Sequence, residues 1–108
     1  MSKNVIKNGM CPIHAGEVLR EDFLKPLDMS ANALALAIGV TPARINDIVR
    51  EKRGITADTA LRLAKYFGGS ATFWLNLQST YELRLAQTGD THFLDNIVPI
   101  DATQFDGA

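Results

Sequence analysis

The sequence contains one cysteine, no long apolar run and almost no net charge. Cys11 cannot form a disulfide within the chain, so we expect a reducing compartment, the cytoplasm. No apolar run approaches the roughly 20 residues that a membrane helix needs, and no apolar stretch follows Lys3 and Lys7, so we also expect no secretory signal. A chain of 108 residues has room for one domain, which excludes a large multidomain enzyme.

Patterns typical of catalytic or metal-binding residues are also missing. Cys11 and His14 lie three positions apart and His92 is distant, which is poor spacing for a zinc site. The sequence has no Ser–His–Asp grouping, glycine-rich phosphate loop or H-E-x-x-H pattern. Glu17 and Glu21 fall one turn apart on a predicted helix, which is typical of a solvated helix face. We therefore predict that the protein is not an enzyme and uses no metal or other cofactor.

The charges are distributed unevenly, although the net charge is only −1. Residues 88–108 contain four acidic residues and no Lys or Arg, which leaves 11 basic and 8 acidic side chains in residues 1–87. This distribution predicts an anion-binding surface, although a solvated helix face with mixed charge gives the same pattern. The basic side chains that cluster within ten positions are Arg44, Arg50, Lys52 and Arg53.

Apolar spacing predicts an all-α domain of five helices. The first helix covers about residues 14–24 and ends before Pro26. N-caps are predicted for the four later helices, the last of which reaches about residue 87. Beyond it, β-forming residues around Pro99 allow a short C-terminal edge strand or arm. The predicted N-cap residues are Ser30, Thr41, Thr56 and Ser70.

We predict three parts of the chain: an N-terminal arm (1–13), a helix-turn-helix domain (14–87) and an acidic C-terminal tail (88–108).

Two short helices joined across a glycine are typical of a helix-turn-helix motif. Ala35 is small enough for close helix packing, Gly39 allows the sharp turn, and Val40 and Ile45 anchor the second helix on the first. The exposed face of the second helix is short, polar and flanked by basic residues. Such a helix fits the major groove of DNA with its N-terminal end toward the bases. An ordinary helical bundle with a glycine turn is the alternative interpretation.

Longer stretches of the chain resemble a known family. Residues 30–56 (SANALALAIGVTPARINDIVREKRGIT) resemble the helix-turn-helix core of the Xre family, whose fold is that of lambda and Cro repressors. The blocks HAGEVL at 14–19 and FWLNLQ at 73–78 look like those of its HigA (VapI-type) antitoxin subgroup. The resemblance implies a homodimer that represses its own promoter at a palindromic operator in double-stranded DNA. It also implies a partner toxin of the RelE-like, mRNA-cleaving type, which the antitoxin binds and silences.

The resemblance also assigns roles to individual positions. Asn32 matches a phosphate contact, and Lys52 and Arg53 match loop positions that clamp the DNA backbone. Arg44 either pairs with guanine or holds a phosphate, and Asn46 could read adenine, though its angle could turn it aside. The full set of expected DNA-binding residues is Asn32, Thr41, Ala43, Arg44, Asn46, Asp47, Arg50, Lys52 and Arg53.

Three positions depart from the family pattern. Asp47 stands where a basic residue is frequent, so it must read a cytosine amine, orient Arg44 or face solvent. Glu51 replaces a frequent glycine and costs about 1 kcal/mol or more if its backbone is left-handed. Leu36 is apolar at a position that is often polar, so it is either a scattered surface leucine or a contact with a second subunit.

The last helix and the tail leave further alternatives open. The apolar side chains of the last helix either pack in the core or form the dimer interface. The tail either adds an arm to the toxin or packs on its own dimer. The predicted dimer-interface residues on the last helix are Trp74, Leu77, Tyr81 and Leu85.

The rival functions are a stand-alone regulator without a toxin and a protein-interaction module that no longer binds DNA.

Overall fold

The computed structural model of the protein describes residues 12–100, so Cys11 and almost all of the predicted N-terminal arm lie outside the described residues. In the described part the chain forms five helices and one short 3-10 helix. None of these helices is long and apolar enough to cross a membrane. Helix α1 joins the segments Ala15–Val18, Leu19–Leu24 and Lys25–Leu27, and it is followed by α2 (Ala31–Ile38), α3 (Pro42–Val49), α4 (Ala57–Phe67) and α5 (Ala71–Thr88).

Helix α1 continues through Pro26, so the prediction that this proline ends the helix was wrong. Its middle segment, Leu19–Leu24, is π-helical, and the N–H of Lys25 donates to the carbonyl of Arg20, five residues earlier. This wider register changes the carbonyl positions around Pro26, which has no N–H and would clash in a regular α-helix. The helix ends instead at Asp28, whose φ of 52° is left-handed.

The helix-turn-helix is fixed by local hydrogen bonds at the predicted positions. The side chains of Ser30 and Thr41 accept backbone N–H bonds and cap α2 and α3. Between these helices, Gly39 has a φ of 75°, and the N–H of Val40 donates to the carbonyl of Ala35 at 3.0 Å. Only glycine adopts this left-handed conformation at little cost, so Gly39 sets the angle between the two helices.

The core lies at the centre of the five helices and receives side chains from each. Ile45 and Ile48 of α3 are fully buried, as the spacing predicts. On α4 the apolar spacing predicts an inward face made of Ala60, Leu61, Leu63, Ala64 and Phe67. Ala60 and Leu63 are buried, but Leu61 is 63% exposed, so the prediction for Leu61 was wrong. Leu61 lies outside the narrow stripe that a helix of this kind turns inward. The largest fully buried apolar side chains are Trp74, Leu19, Leu34, Ile45, Ile48, Leu63 and Val18.

Helix α1 lies directly against the backbone of α3. A Cβ atom on Gly16 would be 1.8 Å from the carbonyl oxygen of Ile48, so only a glycine fits there. One turn later the guanidinium of Arg20 donates to the carbonyl of Val49 and lies 3.4 Å from a carboxylate oxygen of Glu51. Helix α1 therefore determines where the C-terminal end of α3 lies.

The short C-terminal strand that the sequence allowed is not formed in residues 12–100. The chain forms a 3-10 helix, His92–Asn96, after the end of α5. Asp90 starts it by accepting the N–H of His92 at 2.9 Å, and the N–H of Leu94 donates to the carbonyl of Thr91. The described part offers no other strand with which an edge strand could pair, so the local turn bonds prevail.

Candidate nucleic-acid interface

The N-terminal half of α3 forms a polar, exposed surface. The hydroxyl of Thr41 accepts the N–H of Arg44 at 3.2 Å, and Pro42 occupies the first helical position. Thr41 and Ala43 are exposed, and Arg44 is partly exposed. Because Ile45 anchors the opposite side of the helix in the core, these three side chains share an outward face beside the turn.

Arg44 is held by a carboxylate on the next helix. Its Nη1 donates to Oδ2 of Asp58 at 2.7 Å, and the hydroxyl oxygen of Thr59 lies 3.5 Å away. The two guanidinium groups of Arg44 and Arg62 hold the pKa of Asp58 below its usual range, with Arg44 as the larger cause. The side chain of Asp47 makes no hydrogen bond or ion pair with the described residues, so orienting Arg44 is not its role in this structure.

Sequence reasoning missed Asp58 and Arg62 as parts of this surface. Nε of Arg62 lies 3.1 and 3.2 Å from the two carboxylate oxygens of Asp58, and its Nη1 donates to the carbonyl of Ile38 at 2.8 Å. The four-residue spacing of Asp58 and Arg62 predicts an ion pair on one helix face. Their contacts with α3 and with the turn join distant parts of the sequence, and no sequence pattern indicates them.

Asn46 and Asn32 bond to each other across the helix-turn-helix. Nδ2 of Asn46 donates to Oδ1 of Asn32 at 2.9 Å and to the carbonyl of Pro42 at 2.8 Å. Both donor hydrogens of Asn46 are therefore used inside the motif, which turns it aside from a base. Asn32 is exposed and accepts through Oδ1, so its own amide N–H groups remain available as donors.

A cluster of exposed cations follows α3. Arg50, Lys52 and Arg53 are exposed, and among the described residues none of their side chains has a hydrogen-bonding or ion-pair partner. The chain turns there at Glu51, whose φ of 63° is left-handed, so the expected strain of about 1 kcal/mol or more applies. The N–H of Lys52 donates to the carbonyl of Asp47 at 2.8 Å, which closes the end of the helix.

The four predicted dimer residues on α5 have different environments. Trp74 is 1% exposed and its ring lies 5.0 Å from that of Phe23 at an interplanar angle of 49°, so it belongs to the core and has no surface for a partner. Leu77 packs against the core, and Tyr81 contacts the ring of His14. Leu85, at 49% exposed, is the most exposed of the four, whereas Leu77 and Tyr81 are partly buried.

A helix-turn-helix family model matches residues 21–74, from α1 to the first turn of α5. Virulence-associated protein I of Dichelobacter nodosus is 57% identical over 94 residues, which cover 87% of this chain and 86% of the relative. Antitoxin HigA-1 of Vibrio cholerae is 35% identical over 72 residues, 67% of each chain. The chain belongs to the helix-turn-helix family, in its group of HigA and VapI antitoxins.

A solved member of this helix-turn-helix family has a similar fold over most of the chain. The structure of the Pseudomonas aeruginosa antitoxin HigA with the higBA promoter has 50% sequence identity and a TM-score of 0.77. The match covers 82% of this chain and 98% of that one. Within the helix-turn-helix family, α3 is the recognition helix and α2 is the helix before it. The family consists of DNA-binding regulators and antitoxins and is not a class of enzymes.

Proposed function

We propose that the protein is a DNA-binding antitoxin that represses its own promoter as a homodimer. The observation that carries the proposal is the recognition helix α3, whose polar N-terminal face is exposed and is followed by three unpaired cations. In a relative solved with its promoter, the same fold is placed on DNA. Residues 14–87 form the DNA-binding domain in this proposal, and residues 88–108 form an accessory tail.

The surface divides into base-reading and phosphate-binding parts. Thr41, Ala43 and Arg44 lie where side chains of a recognition helix reach base edges in the major groove. Arg50, Lys52 and Arg53, together with Asn32 at the start of α2, flank this face and bind the DNA backbone. Asp47, being unpaired, accepts from a cytosine amine. These assignments divide the surface into contacts that specify sequence and contacts that position the protein.

Replacing Arg44 tests whether this face reads sequence. Selection from a random duplex library with the unsubstituted protein supplies a specific probe, and a scrambled duplex of equal length is the control. We expect Arg44→Ala to lose about 1–3 kcal/mol of binding free energy on the selected duplex and little on the scrambled one. An equal loss on both duplexes, with a salt slope reduced by about one, makes Arg44 a phosphate contact. Unchanged binding on both contradicts the proposed reading face.

The proposed partner is a RelE-like, mRNA-cleaving toxin, and the proposed location is the cytoplasm. Purifying the tagged protein from its native cells tests the antitoxin function directly. We expect a small basic protein to copurify in fixed stoichiometry and its nuclease activity to be suppressed in the complex. If the homodimer returns alone while the neighbouring gene is expressed, the protein is a stand-alone regulator instead.

A further inference from the structure

Asp58 lies between two arginines and connects the recognition helix to the turn. One of its carboxylate oxygens, Oδ2, accepts from Nη1 of Arg44 at 2.7 Å and from Nε of Arg62 at 3.1 Å. Arg62 in turn donates to the carbonyl of Ile38, the last residue of α2. A continuous series of charge-assisted hydrogen bonds therefore runs from the end of α2 through α4 to Arg44.

We propose that Asp58 is a specificity-determining positioning residue that holds Arg44 in the conformation that reads a base. Only Nη1 of Arg44 is used by Asp58, so Nε and Nη2 keep donors for the paired acceptors O6 and N7 of a guanine. A guanidinium that is already held loses less side-chain entropy on binding. It also turns less easily toward a neighbouring phosphate. This inference rests on the proposed DNA binding, which it refines.

Simple electrostatics gives the opposite expectation. Asp58 is 55% exposed on its side chain and negatively charged, so by charge alone it repels DNA phosphates. Removing that charge would then tighten binding to every duplex alike. Positioning predicts that its removal weakens binding to the selected sequence and leaves the scrambled sequence unaffected or slightly favoured. The two roles therefore predict opposite changes in affinity for the selected duplex, and only positioning lowers the ratio of the two dissociation constants.

The experiment compares Asp58→Asn with the unsubstituted protein on the selected and scrambled duplexes, across a salt series and below the melting temperature of both proteins. Asp28→Asn, which removes an equal charge from the exposed C-terminal cap of α1 and keeps a residue type that tolerates the left-handed backbone, is the matched control. We expect Asp58→Asn to reduce the specificity ratio about tenfold and Asp28→Asn to leave it unchanged. In an Arg44→Ala background, Asp58→Asn should cause no further reduction, because the residue that it positions is gone.

Each other outcome contradicts the inference in a different way. If Asp58→Asn tightens binding to both duplexes equally, Asp58 only repels phosphate. If it reduces the ratio equally with and without Arg44, Asp58 acts through another group. If the unsubstituted protein enriches no sequence at all, the proposed function itself fails and the inference with it. A reduced ratio on Asp58→Asn that disappears in the Arg44→Ala background supports the inference.

Discussion

His14 is the residue from which we expect the fold to become sensitive to acid. It is buried at the start of α1, where Nδ1 accepts the N–H of Gly16 at 2.8 Å and the ring contacts Tyr81. Burial is the main cause that lowers the pKa of His14 below 6.5, against the opposing effect of Glu51 and Glu82. Protonating Nδ1 would also abolish the cap, because a protonated nitrogen cannot accept a hydrogen bond.

The folded state is therefore expected to lose stability as the pH falls below about 6.5, where the unfolded chain takes up the proton first. We expect the free energy of unfolding, measured in urea between pH 7.5 and 5, to decrease for the unsubstituted protein. It should stay nearly constant for His14→Asn, which retains a capping oxygen and does not titrate. The control is His92→Asn at an exposed histidine. An unchanged pH dependence in His14→Asn contradicts the assignment.

The carboxylates should act in a different pH range. The pKa of Glu21 is lowered mainly by Arg20 and that of Asp58 mainly by Arg44. Groups of this kind stabilise the fold above their unfolded pKa, near 4, and lose that effect only as the pH falls further. A decrease in stability between pH 6.5 and 5 can therefore be assigned to the histidine rather than to these ion pairs.

At the residue scale, the sequence did not predict which acidic side chain lies beside Arg44. Orienting Arg44 was one of three interpretations for Asp47, three positions along the same helix, but Arg44 bonds to Asp58, 14 positions away. Which acid lies closest depends on how α4 packs on α3, and this packing follows from the whole core. The strain at Glu51 was predictable because the family pattern marks that position as one for glycine, and its φ of 63° confirms the left-handed conformation.

At the scale of the helices, local chemistry was a reliable guide to where they begin. The hydroxyl groups of Ser30, Thr41, Thr56 and Ser70 each accept a backbone N–H three residues later, as predicted. The end of α1 could not be predicted in this way, because a π-helical turn allows the helix to pass through its proline. The edge strand that the sequence allowed is not formed in the described residues, since a strand depends on a partner strand that sequence alone does not reveal.

The contact between α1 and α3 gives a prediction about the recognition helix. We expect Gly16→Ala to reduce the free energy of unfolding by about 1–3 kcal/mol or more, because the added Cβ would overlap the carbonyl of Ile48 at 1.8 Å. The two helices must separate, and the hydrogen bond from Arg20 to the end of α3 should weaken. Urea unfolding measures the loss, and duplex binding measures the displacement of α3.

Gly89→Ala is the matched control for this substitution. Its φ of −87° suits alanine, and the nearest atoms to an added Cβ lie at 3.7 and 3.8 Å, which is ordinary contact. We expect its stability and its DNA binding to equal those of the unsubstituted protein. If Gly16→Ala behaves like Gly89→Ala, the close packing of α1 on α3 does not determine the position of the recognition helix.

At the scale of the whole molecule, large apolar side chains are exposed in series at one end of the described chain. From the second half of α5 to Ile100 almost every side chain is exposed, and many of them are large and apolar. A helix-turn-helix dimer must hold two recognition helices about 34 Å apart to contact successive half-sites. A second copy packed on this end would cover the apolar surface and fix that spacing. The exposed side chains are Leu83, Leu85, Phe93, Leu94, Ile97, Val98 and Ile100.

A charge introduced at this surface should therefore separate the subunits. Val98 is 85% exposed and Leu36, on α2, is 86% exposed, so an aspartate at either position costs similarly little in an isolated domain. We expect Val98→Asp to shift the protein from dimer to monomer in sedimentation and to weaken operator binding at least tenfold, because a monomer contacts one half-site only. Leu36→Asp should remain dimeric if Leu36 is a scattered surface residue. Should Leu36→Asp dissociate the dimer while Val98→Asp does not, the interface lies on the α2 side, and the apolar C-terminal surface is left for the toxin.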